Sequence, residues 1–239
     1  MNLVGTTGKG TGSFHGGVRT RPGGRMGQRR KLRPGPGPWW SDAMPARMVL
    51  LRHGATQWSR NGQHTGRTDI PLLDEGCRQA EAAGRLLRAE GFDRFDLVLT
   101  SPLLRASDTC RLAGFGDVAE VDPDLAEWDY GEYEGLTTPE IRQWVPGWTL
   151  WDNGVPGGER ASDVGRRADR VVARALAQDG DTLCVAHGHL LRVLAARWLG
   201  LPPVAGRLLL LDAGSICLLG WEYEGRAIGR WNLMPDGVG

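Results

Sequence analysis

The chain has 239 residues, of which 41% are hydrophobic and 24% are charged, and this is enough for one substantial hydrophobic core. Its longest apolar runs fall far short of the ~20 residues that cross a bilayer, which argues against a membrane protein and predicts a soluble, cytoplasmic one. The four cysteines are widely separated, with no C-x-x-C pair and no histidine at metal-ligand spacing. We therefore expect reduced thiols and no metal site.

The first 43 residues differ in composition from the rest. Residues 1–43 are rich in Gly, Pro and Arg and hold eight basic residues against Asp42 alone, so they carry +7 and the remainder carries −6. With almost no aliphatic periodicity, they cannot bury enough surface to offset ordering entropy, which predicts a disordered tail. Clustered arginines attract polyanions, but we expect no selected role for this tail, no nucleic-acid partner and no membrane contact. Residues 44–239 are predicted to form a single domain.

The first predicted strand is an apolar run, Met48 to Leu51, that breaks directly into Arg52-His53-Gly54. In α/β sheets, ligands bind beyond the carboxyl ends of the strands. Arginine presents a rigid fork that fits phosphate oxygens, and histidine is a nitrogen nucleophile that is largely neutral near pH 7. The tripeptide by itself is more often a surface turn, so the residues that follow decide its role.

A longer signature extends from this tripeptide. Residues 52–58 read RHGATQW, and residues 62–72 read GQHTGRTDIPL, followed by Gly76. The signature resembles the N-terminal motif of the histidine phosphatase superfamily, which includes cofactor-dependent phosphoglycerate mutases and many phosphatases. Its GQHTGRTD portion is similar to the branch that holds sedoheptulose bisphosphatases and actinobacterial acid phosphatases.

The resemblance implies roles for particular residues of this segment. His53 corresponds to the histidine that receives the phosphoryl group, with Arg52 beside it as a ligand of the same group. Three further residues are expected to help bind the substrate: Ser59, Thr65 and Gly66. Ser59 stands where the mutases have an asparagine near the phosphate, which is a departure from the mutase pattern.

Two elements follow in chain order. Asp74 to Gly91 has apolar residues at helical spacing and a terminal glycine, which predicts a helix. Asp96 to Thr100 is the second predicted strand, and Ser101 with Pro102 after it predicts an N-cap and the start of another helix. Arg105 would then lie near the positive end of that helix, above the sheet edge. The family has a matching Ser-Pro-x-x-Arg-Ala segment, and the resemblance implies that Arg105 binds the phosphoryl group.

Val118 to Val121 reads as a short strand, and an acidic segment from Leu125 to Gly135 follows it. The family motif Glu-x-x-x-Gly-x-x-Glu-Gly matches this segment and implies that Glu127 is the proton donor. Its neighbours Trp128 and Tyr130 are expected to raise the pKa of the carboxyl by desolvation and keep it protonated. By residue type alone, three other carboxylates of the segment fit nearly as well: Asp129, Glu132 and Glu134.

The next segment is aromatic. Thr138-Pro139-Glu140 predicts the start of a short helix, and Trp144, Trp148 and Trp151 then occur among prolines and glycines. Such a segment fits the wall or lid of a substrate pocket, and it fits almost equally well a hydrophobic patch that contacts a second copy. A homodimer is therefore one expectation for the assembly.

The design of the first strand recurs later in the chain. Ser162 to Ala177 predicts a helix, and Asp181 to Ala186 predicts a strand that ends in His187-Gly188. Two strands that each deliver His-Gly at their carboxyl ends can bring both imidazoles to one ligand. The resemblance implies that His187 contacts the same phosphoryl group and that Gly188 joins the substrate-binding residues. His189 has no match in the motif and is expected to support the site or the fold.

The remaining pattern predicts a helix at residues 190–199 and strands at residues 208–211, 216–219 and 225–231. Strands alternate with helices along the chain, which predicts an α/β fold with both faces of the sheet covered. The expected architecture is a three-layer α/β/α, phosphoglycerate mutase-like domain. Its central sheet should be mainly parallel, with antiparallel strands near the C-terminus.

Together these features predict a phosphatase that hydrolyses small phosphomonoesters, such as sugar phosphates, through a phosphohistidine on His53. Arg52, Arg105 and a protonated His187 are expected to hold the phosphoryl oxygens, and Glu127 to protonate the leaving alkoxide. No cofactor or metal is expected, because the cationic side chains supply the charge. Two alternatives are phosphoryl transfer of the phosphoglycerate mutase type and a non-catalytic binding module on the same fold.

Overall fold

The computed structural model describes residues 46–235, so the predicted disordered tail, residues 1–43, lies outside the described residues. The strands of the described part are β1 (Met48–Arg52), β2 (Leu97–Thr100), β3 (Ala119–Val121), β4 (Thr182–Ala186), β5 (Ile216–Glu222) and β6 (Gly225–Leu233). Its α-helices are α1 (Gln57–Asn61), α2 (Asp74–Ala89), α3 (Leu104–Leu112), α4 (Thr138–Trp144), α5 (Leu150–Asn153), α6 (Ala161–Leu176) and α7 (Gly188–Trp198).

Within residues 46–235, the six strands form one sheet in the order β3-β2-β4-β1-β5-β6. Strands β1, β2, β3 and β4 run parallel to their neighbours among these four, whereas β5 is antiparallel to β1 and β6 is antiparallel to β5. The predicted mainly parallel sheet with antiparallel strands near the C-terminus is confirmed. This order places β1 between β4 and β5, in the middle of the sheet.

Side chains of β1 alternate between two hydrophobic cores, one on each face of the sheet. Leu50 lies in a core with residues of α6 and α7, such as Val171 and Leu194. Leu51 lies in the other core with Leu87 of α2 and with residues of α3. Burying each such side chain contributes about 1.5–3 kcal/mol, which explains why this run is a central strand. Helices therefore cover both faces, as the three-layer prediction required.

The predicted strand at Leu208–Leu211 is wrong. Residues Pro203–Leu208 form a 3₁₀ helix, and irregular backbone follows as far as β5. Both sides of β5 are already paired, with β1 and with β6, so no edge there remains for another strand. Leu208 and Leu210 are instead 74% and 73% exposed. The apolar run favours a strand by its pattern, but sequence alone does not reveal which strand edges are occupied.

The predicted N-cap at Ser101 is also wrong. Helix α3 begins at Leu104, three residues later, and its N-cap residue Leu103 offers no side-chain acceptor. The backbone N–H of Leu104 donates instead to Asp69 Oδ1 at 2.8 Å, so a distant loop satisfies the helix end. The Ser101 Oγ instead accepts from Leu103 N at 3.2 Å and lies 2.7 Å from His187 Nε2, in the site beyond the sheet edge.

Candidate active site

Three parallel strands end side by side and place His53, Ser101 and His187 in one row. Arg52 of β1 pairs with Ala186 of β4, and β2 pairs with the other side of β4. The backbone N–H of His53 donates to Ala186 O at 2.9 Å, and that of Ser101 donates to Val185 O at 3.0 Å. The ring centroids of the two histidines are 5.2 Å apart, with both side chains buried. The predicted meeting of the two His-Gly segments is therefore present in the structure.

The tight turn after His53 depends on glycine. A Cβ atom on Gly54 would lie 2.2 Å from the carbonyl oxygen of Gly76 at the start of α2. The Gly54 N–H also donates to Thr109 Oγ1 of α3 at 3.1 Å. The turn is therefore held between two helices, which fixes the direction of the His53 ring.

His53 has the hydrogen bond of a nucleophilic imidazole. Its Nδ1 lies 2.8 Å from the carbonyl oxygen of Gly54, which only accepts, so Nδ1 carries the proton and Nε2 keeps its lone pair. Burial lowers the pKa of His53 well below 6.5, and the charges of Arg52 and Arg105 lower it further. The ring is therefore neutral near pH 7, which is the form that attacks an electrophile.

The tautomer of His187 is fixed by two neighbours. Arg105 Nε donates to His187 Nδ1 at 3.1 Å, so the proton of the ring is on Nε2, which lies 2.7 Å from Ser101 Oγ. Burial lowers the pKa of His187 well below 6.5, and the nearby arginines and His53 lower it further. The structure thus shows a neutral His187 and differs from the protonated form expected from the sequence.

Arg52 offers an unpaired donor to the site. Its Nη1 donates to the carbonyl oxygen of Leu211, whereas its buried Nε is without a hydrogen-bond partner among the described residues. Gly188 lies close to this guanidinium, because a Cβ there would be 3.3 Å from Arg52 Nε. A buried donor without a partner is costly, and an anion in the site would satisfy it.

Arg105 is fully buried and holds the loop that carries Thr65 and Gly66. Its Nη1 donates to Thr68 O at 3.0 Å, and its Nη2 donates to Thr65 O at 3.0 Å and to Gly66 O at 3.1 Å. Glu134 accepts from the N–H groups of Gly66 and Thr68 on the same loop. With its bond to the imidazole, Arg105 has protein partners for four of its five N–H groups.

The carboxylate of Glu127 lies at the N-terminus of α7. Its Oε1 accepts from Trp128 N and Leu190 N, both at 2.9 Å, and its Oε2 accepts from His189 N at 3.0 Å. All three partners are backbone N–H donors, so both carboxyl oxygens act as acceptors here, and the protonated state expected from the sequence stays a prediction. The aromatic neighbours Trp128 and Tyr130 are buried, as that expectation required.

The competing carboxylates have other partners. Asp129 Oδ2 forms an ion pair with Arg67 at 2.6 Å, and Glu134 holds the loop described above. Glu132 is part of a 3₁₀ helix, Gly131–Tyr133, and its backbone N–H donates to Pro156 O at 3.0 Å. The Glu127 carboxyl, by contrast, accepts hydrogen bonds from the helix that begins beside His187.

The predicted substrate-binding residues fall into two groups. Ser59 caps helix α1: its Oγ accepts from Thr56 N at 2.9 Å and donates to Thr56 O at 3.0 Å. Thr65 and Gly66 are in the loop held by Arg105 and Glu134, and Gly188 begins α7 next to the Arg52 guanidinium. Thr65, Gly66 and Gly188 therefore lie around Arg52 and Arg105. The Ser59 hydroxyl instead forms hydrogen bonds at the N-terminus of α1.

Sequence reasoning missed several residues that shape this site. Ser101 contacts His187, and the Tyr130 hydroxyl lies 2.6 Å from His189 Nδ1. Arg167 of α6 holds the backbone of the segment that carries Glu127. The sequence assigns Tyr130 only a desolvating role beside Glu127, it favours a helix cap for Ser101, and it gives no local sign of the partners of Arg167.

Two residues of the Trp144–Trp151 segment, Val145 and Trp148, line a cavity of about 560 Å³ together with Tyr133, residues 153–158 and Arg160. Trp148 is buried, whereas Trp144 is 65% exposed. The cavity wall contains none of the five predicted catalytic residues. The pocket reading and the dimer-contact reading of this segment both stay predictions.

Two classes of feature are absent from the described part of the chain. Between residues 46 and 235 there is no group of three or more His, Cys, Asp or Glu side chains that could hold a metal ion. No helix in the same range has the length and apolar character needed to cross a membrane.

The fold and the site define an α/β enzyme of the phosphoryl-transfer class. The model of the histidine phosphatase superfamily, branch 1, matches residues 48–234. The chain belongs to this superfamily, and its relatives place it among the phosphatases.

Three proteins illustrate the similarity. The acid phosphatase of Mycobacterium tuberculosis is 46% identical over 184 residues, which are 76% of this chain and 90% of the relative. The sedoheptulose 1,7-bisphosphatase of Saccharomyces cerevisiae is 35% identical over 188 residues, 66% of this chain and 69% of the relative. A solved mycobacterial glucosyl-3-phosphoglycerate phosphatase is 32% identical, with a TM-score of 0.70 over 79% of this chain and 99% of that chain.

Proposed function

We propose that this protein hydrolyses small phosphomonoesters through a covalent phosphohistidine on His53. The observation that carries the proposal is the free Nε2 lone pair of a neutral, buried imidazole, next to a guanidinium with an unpaired Nε. Nε2 attacks phosphorus, the bond to the ester oxygen breaks, and water then cleaves the phosphorus–nitrogen bond to release phosphate.

Positive charge at the phosphoryl group comes from the two arginines. Arg52 supplies its buried, unpaired Nε. Arg105 is fully buried and donates to the His187 ring, so its charge acts on the site from beside that imidazole. Fixed cations in a dry site offset the charge that develops on the phosphoryl oxygens. In this proposal they do the work that a metal ion does elsewhere, so EDTA should leave the rate unchanged.

Glu127 is proposed to carry protons in both steps. In the first step the carboxyl protonates the leaving alkoxide, and in the second it accepts a proton from the attacking water. In the free site three backbone N–H groups donate to the Glu127 carboxyl oxygens, and the proton used in the first step comes from solvent.

Sugar phosphates are the proposed substrate class, because one relative is named for a sugar bisphosphate and another for a phosphoglycerate that carries a glucosyl group. We further propose that residues 44–239 form one domain. We also propose that the protein is cytoplasmic, which the four unpaired cysteines support. A homodimer through the Trp144–Trp151 segment is proposed from the exposure of Trp144. Light scattering of the purified protein and of Trp144→Ser tests the assembly.

The mechanism is tested with p-nitrophenyl phosphate at pH 5 to 7 and with release of free phosphate from a panel of sugar phosphates. His53→Ala should lose about 10³-fold or more in kcat, because no other neutral imidazole with a free nitrogen is in the row. Rapid quenching of the wild-type enzyme should trap an acid-labile phosphoenzyme that the variant lacks.

The exposed residue Arg111, paired with Asp108 on α3, provides the control variant Arg111→Gln. It should keep wild-type rates and melting temperature. Equal rates for His53→Ala and wild type would remove the phosphohistidine mechanism, and return of the phosphoryl group to an alcohol instead of water would favour a mutase.

A further inference from the structure

One arginine of helix α6 divides its hydrogen bonds between the segment that carries Glu127 and the side chain of Glu159. Arg167 Nη1 donates to Asp124 O at 2.7 Å and to Ala126 O at 2.9 Å, and Nη2 reaches Glu127 O at 3.4 Å. Its remaining donors go to Glu159, from Nε to Oε1 and from Nη2 to Oε2, both at 2.8 Å. All five N–H groups of Arg167 are therefore used.

Glu159 makes further hydrogen bonds to the same segment, at Trp128 and Asp129. Its Oε2 accepts from Asp129 N at 3.0 Å, its backbone carbonyl accepts from Trp128 Nε1 at 2.9 Å, and its own N–H donates to Asp129 O at 3.0 Å. The Arg167 and Glu159 side chains are only 14% and 23% exposed. A planar guanidinium that pairs in two places with a carboxylate fixes direction as well as distance.

The contrast with neighbouring arginines on the same helix is informative. Arg166 and Arg170 make ion pairs with Asp163 and Asp124 while their own side chains remain 66% and 59% exposed. Such exposed pairs contribute little to stability. Arg167 differs because its partners are the backbone carbonyls of Asp124, Ala126 and Glu127, together with the half-buried side chain of Glu159.

We propose that Arg167 and Glu159 are positioning residues for Glu127, whose ion pair holds residues 124–129 so that the carboxyl faces the leaving oxygen. This inference rests on the proposed function. Neither residue touches the reacting atoms, and both act by fixing the backbone from which the Glu127 side chain extends. A misplacement of about 1 Å in a catalytic group can cost about 10²-fold in rate.

Two substrates with different leaving groups distinguish a loss of Glu127 positioning from a general loss of folded, active enzyme. p-Nitrophenolate leaves with little need for a proton, whereas the alkoxide of glycerol 2-phosphate requires general acid catalysis. In Arg167→Gln, kcat/KM for glycerol 2-phosphate should fall about 100-fold and that for p-nitrophenyl phosphate less than about tenfold. The ratio of the two values should therefore change by at least about tenfold.

Two further variants and one control make the test decisive. Arg167→Lys keeps the positive charge but loses the two-pronged guanidinium geometry, and Glu159→Gln removes the negative charge that pairs with Arg167. Both variants should change the ratio of the two kcat/KM values in the same direction as Arg167→Gln. Arg167→Lys also serves if Arg167→Gln fails to fold. Arg166→Gln, on the same helix and exposed, should leave both rates unchanged.

The outcomes distinguish this inference from the mechanism beneath it. If His53→Ala is inactive but the Arg167 and Glu159 variants lose both substrates equally, or lose neither, the positioning role is overturned and the phosphohistidine mechanism stands. If His53→Ala retains activity, the mechanism fails and the inference fails with it.

Discussion

Two neighbours of His187, Arg105 and Ser101, determine which ring nitrogen carries the proton. Arg105 donates to Nδ1 and Ser101 accepts from Nε2, so neither ring nitrogen is free in this arrangement. A bound phosphoryl group would add negative charge beside the ring and raise the pKa that burial and the arginines have lowered. The protonated His187 expected from the sequence therefore requires the ligand.

Ser101→Ala tests this arrangement. Without the hydroxyl, the Nε2–H group of His187 loses its acceptor in a fully buried position, so the tautomer is no longer fixed. We expect kcat/KM for p-nitrophenyl phosphate to fall about tenfold, which corresponds to about 1.4 kcal/mol. The measurement is steady-state kinetics on the purified variant.

Ser107→Ala is the matched control, because the Ser107 hydroxyl is exposed and donates only to Leu104 O within α3. It should keep the wild-type rate. A Ser101→Ala enzyme as fast as Ser107→Ala would mean that Ser101 has no part in holding His187.

At the scale of elements, α3 is organised by a loop that the sequence places far from it. Residues 65–68 accept three hydrogen bonds from Arg105 through their carbonyl groups, and two of their N–H groups donate to Glu134. The next residue, Asp69, accepts from the first N–H of α3. The helix and the loop therefore position each other, and with them the buried guanidinium of the site.

Asp69→Ala should destabilise this unit by about 1 kcal/mol, the usual cost of losing a helix N-terminal acceptor. The free energy of unfolding is measured by urea denaturation. Asp108→Ala removes an exposed acidic residue from α3 itself, where its partner Arg111 is 64% exposed, and should cost far less. Equal costs for the two variants would contradict the capping role of Asp69.

For the whole molecule, buried histidines predict how stability depends on pH. The pKa values of His53 and His187 are well below 6.5, and burial lowers that of His64 to about 4. Below pH 6.5 the unfolded chain takes up protons that the folded chain excludes. Stability is therefore full above about pH 6.5 and falls on acidification, by about 1.4 kcal/mol per pH unit for each such histidine.

The contribution of His64 to the pH dependence of stability can be measured by replacing it. His64→Gln should flatten the fall in the free energy of unfolding between pH 6.5 and about 4, by about 1.4 kcal/mol per pH unit relative to wild type. Urea denaturation at pH 7, 6 and 5 measures both slopes. Parallel curves for variant and wild type would show that His64 titrates normally in the folded protein.

Much of the site could be predicted because its main parts are local. An apolar run followed by His-Gly occurs twice, and parallel strands deliver their carboxyl ends to one edge, so the sequence predicts that His53 and His187 can meet, and the pairing of β1 with β4 brings them together. Residue type and spacing determine such strand ends within a few residues. The α/β class and the family followed from the same short stretches.

The tertiary structure decided what depends on partners distant in the chain. It left residues 208–211 without a strand to pair with, moved the start of α3 to Leu104, and brought Arg167 into hydrogen-bond contact with Glu127, 40 residues away in the chain. It also fixed the charge of His187, since a pKa depends on burial and on neighbouring groups in space. Sequence patterns report local periodicity, whereas edge occupancy, hydrogen-bond partners and desolvation exist only once the chain has folded.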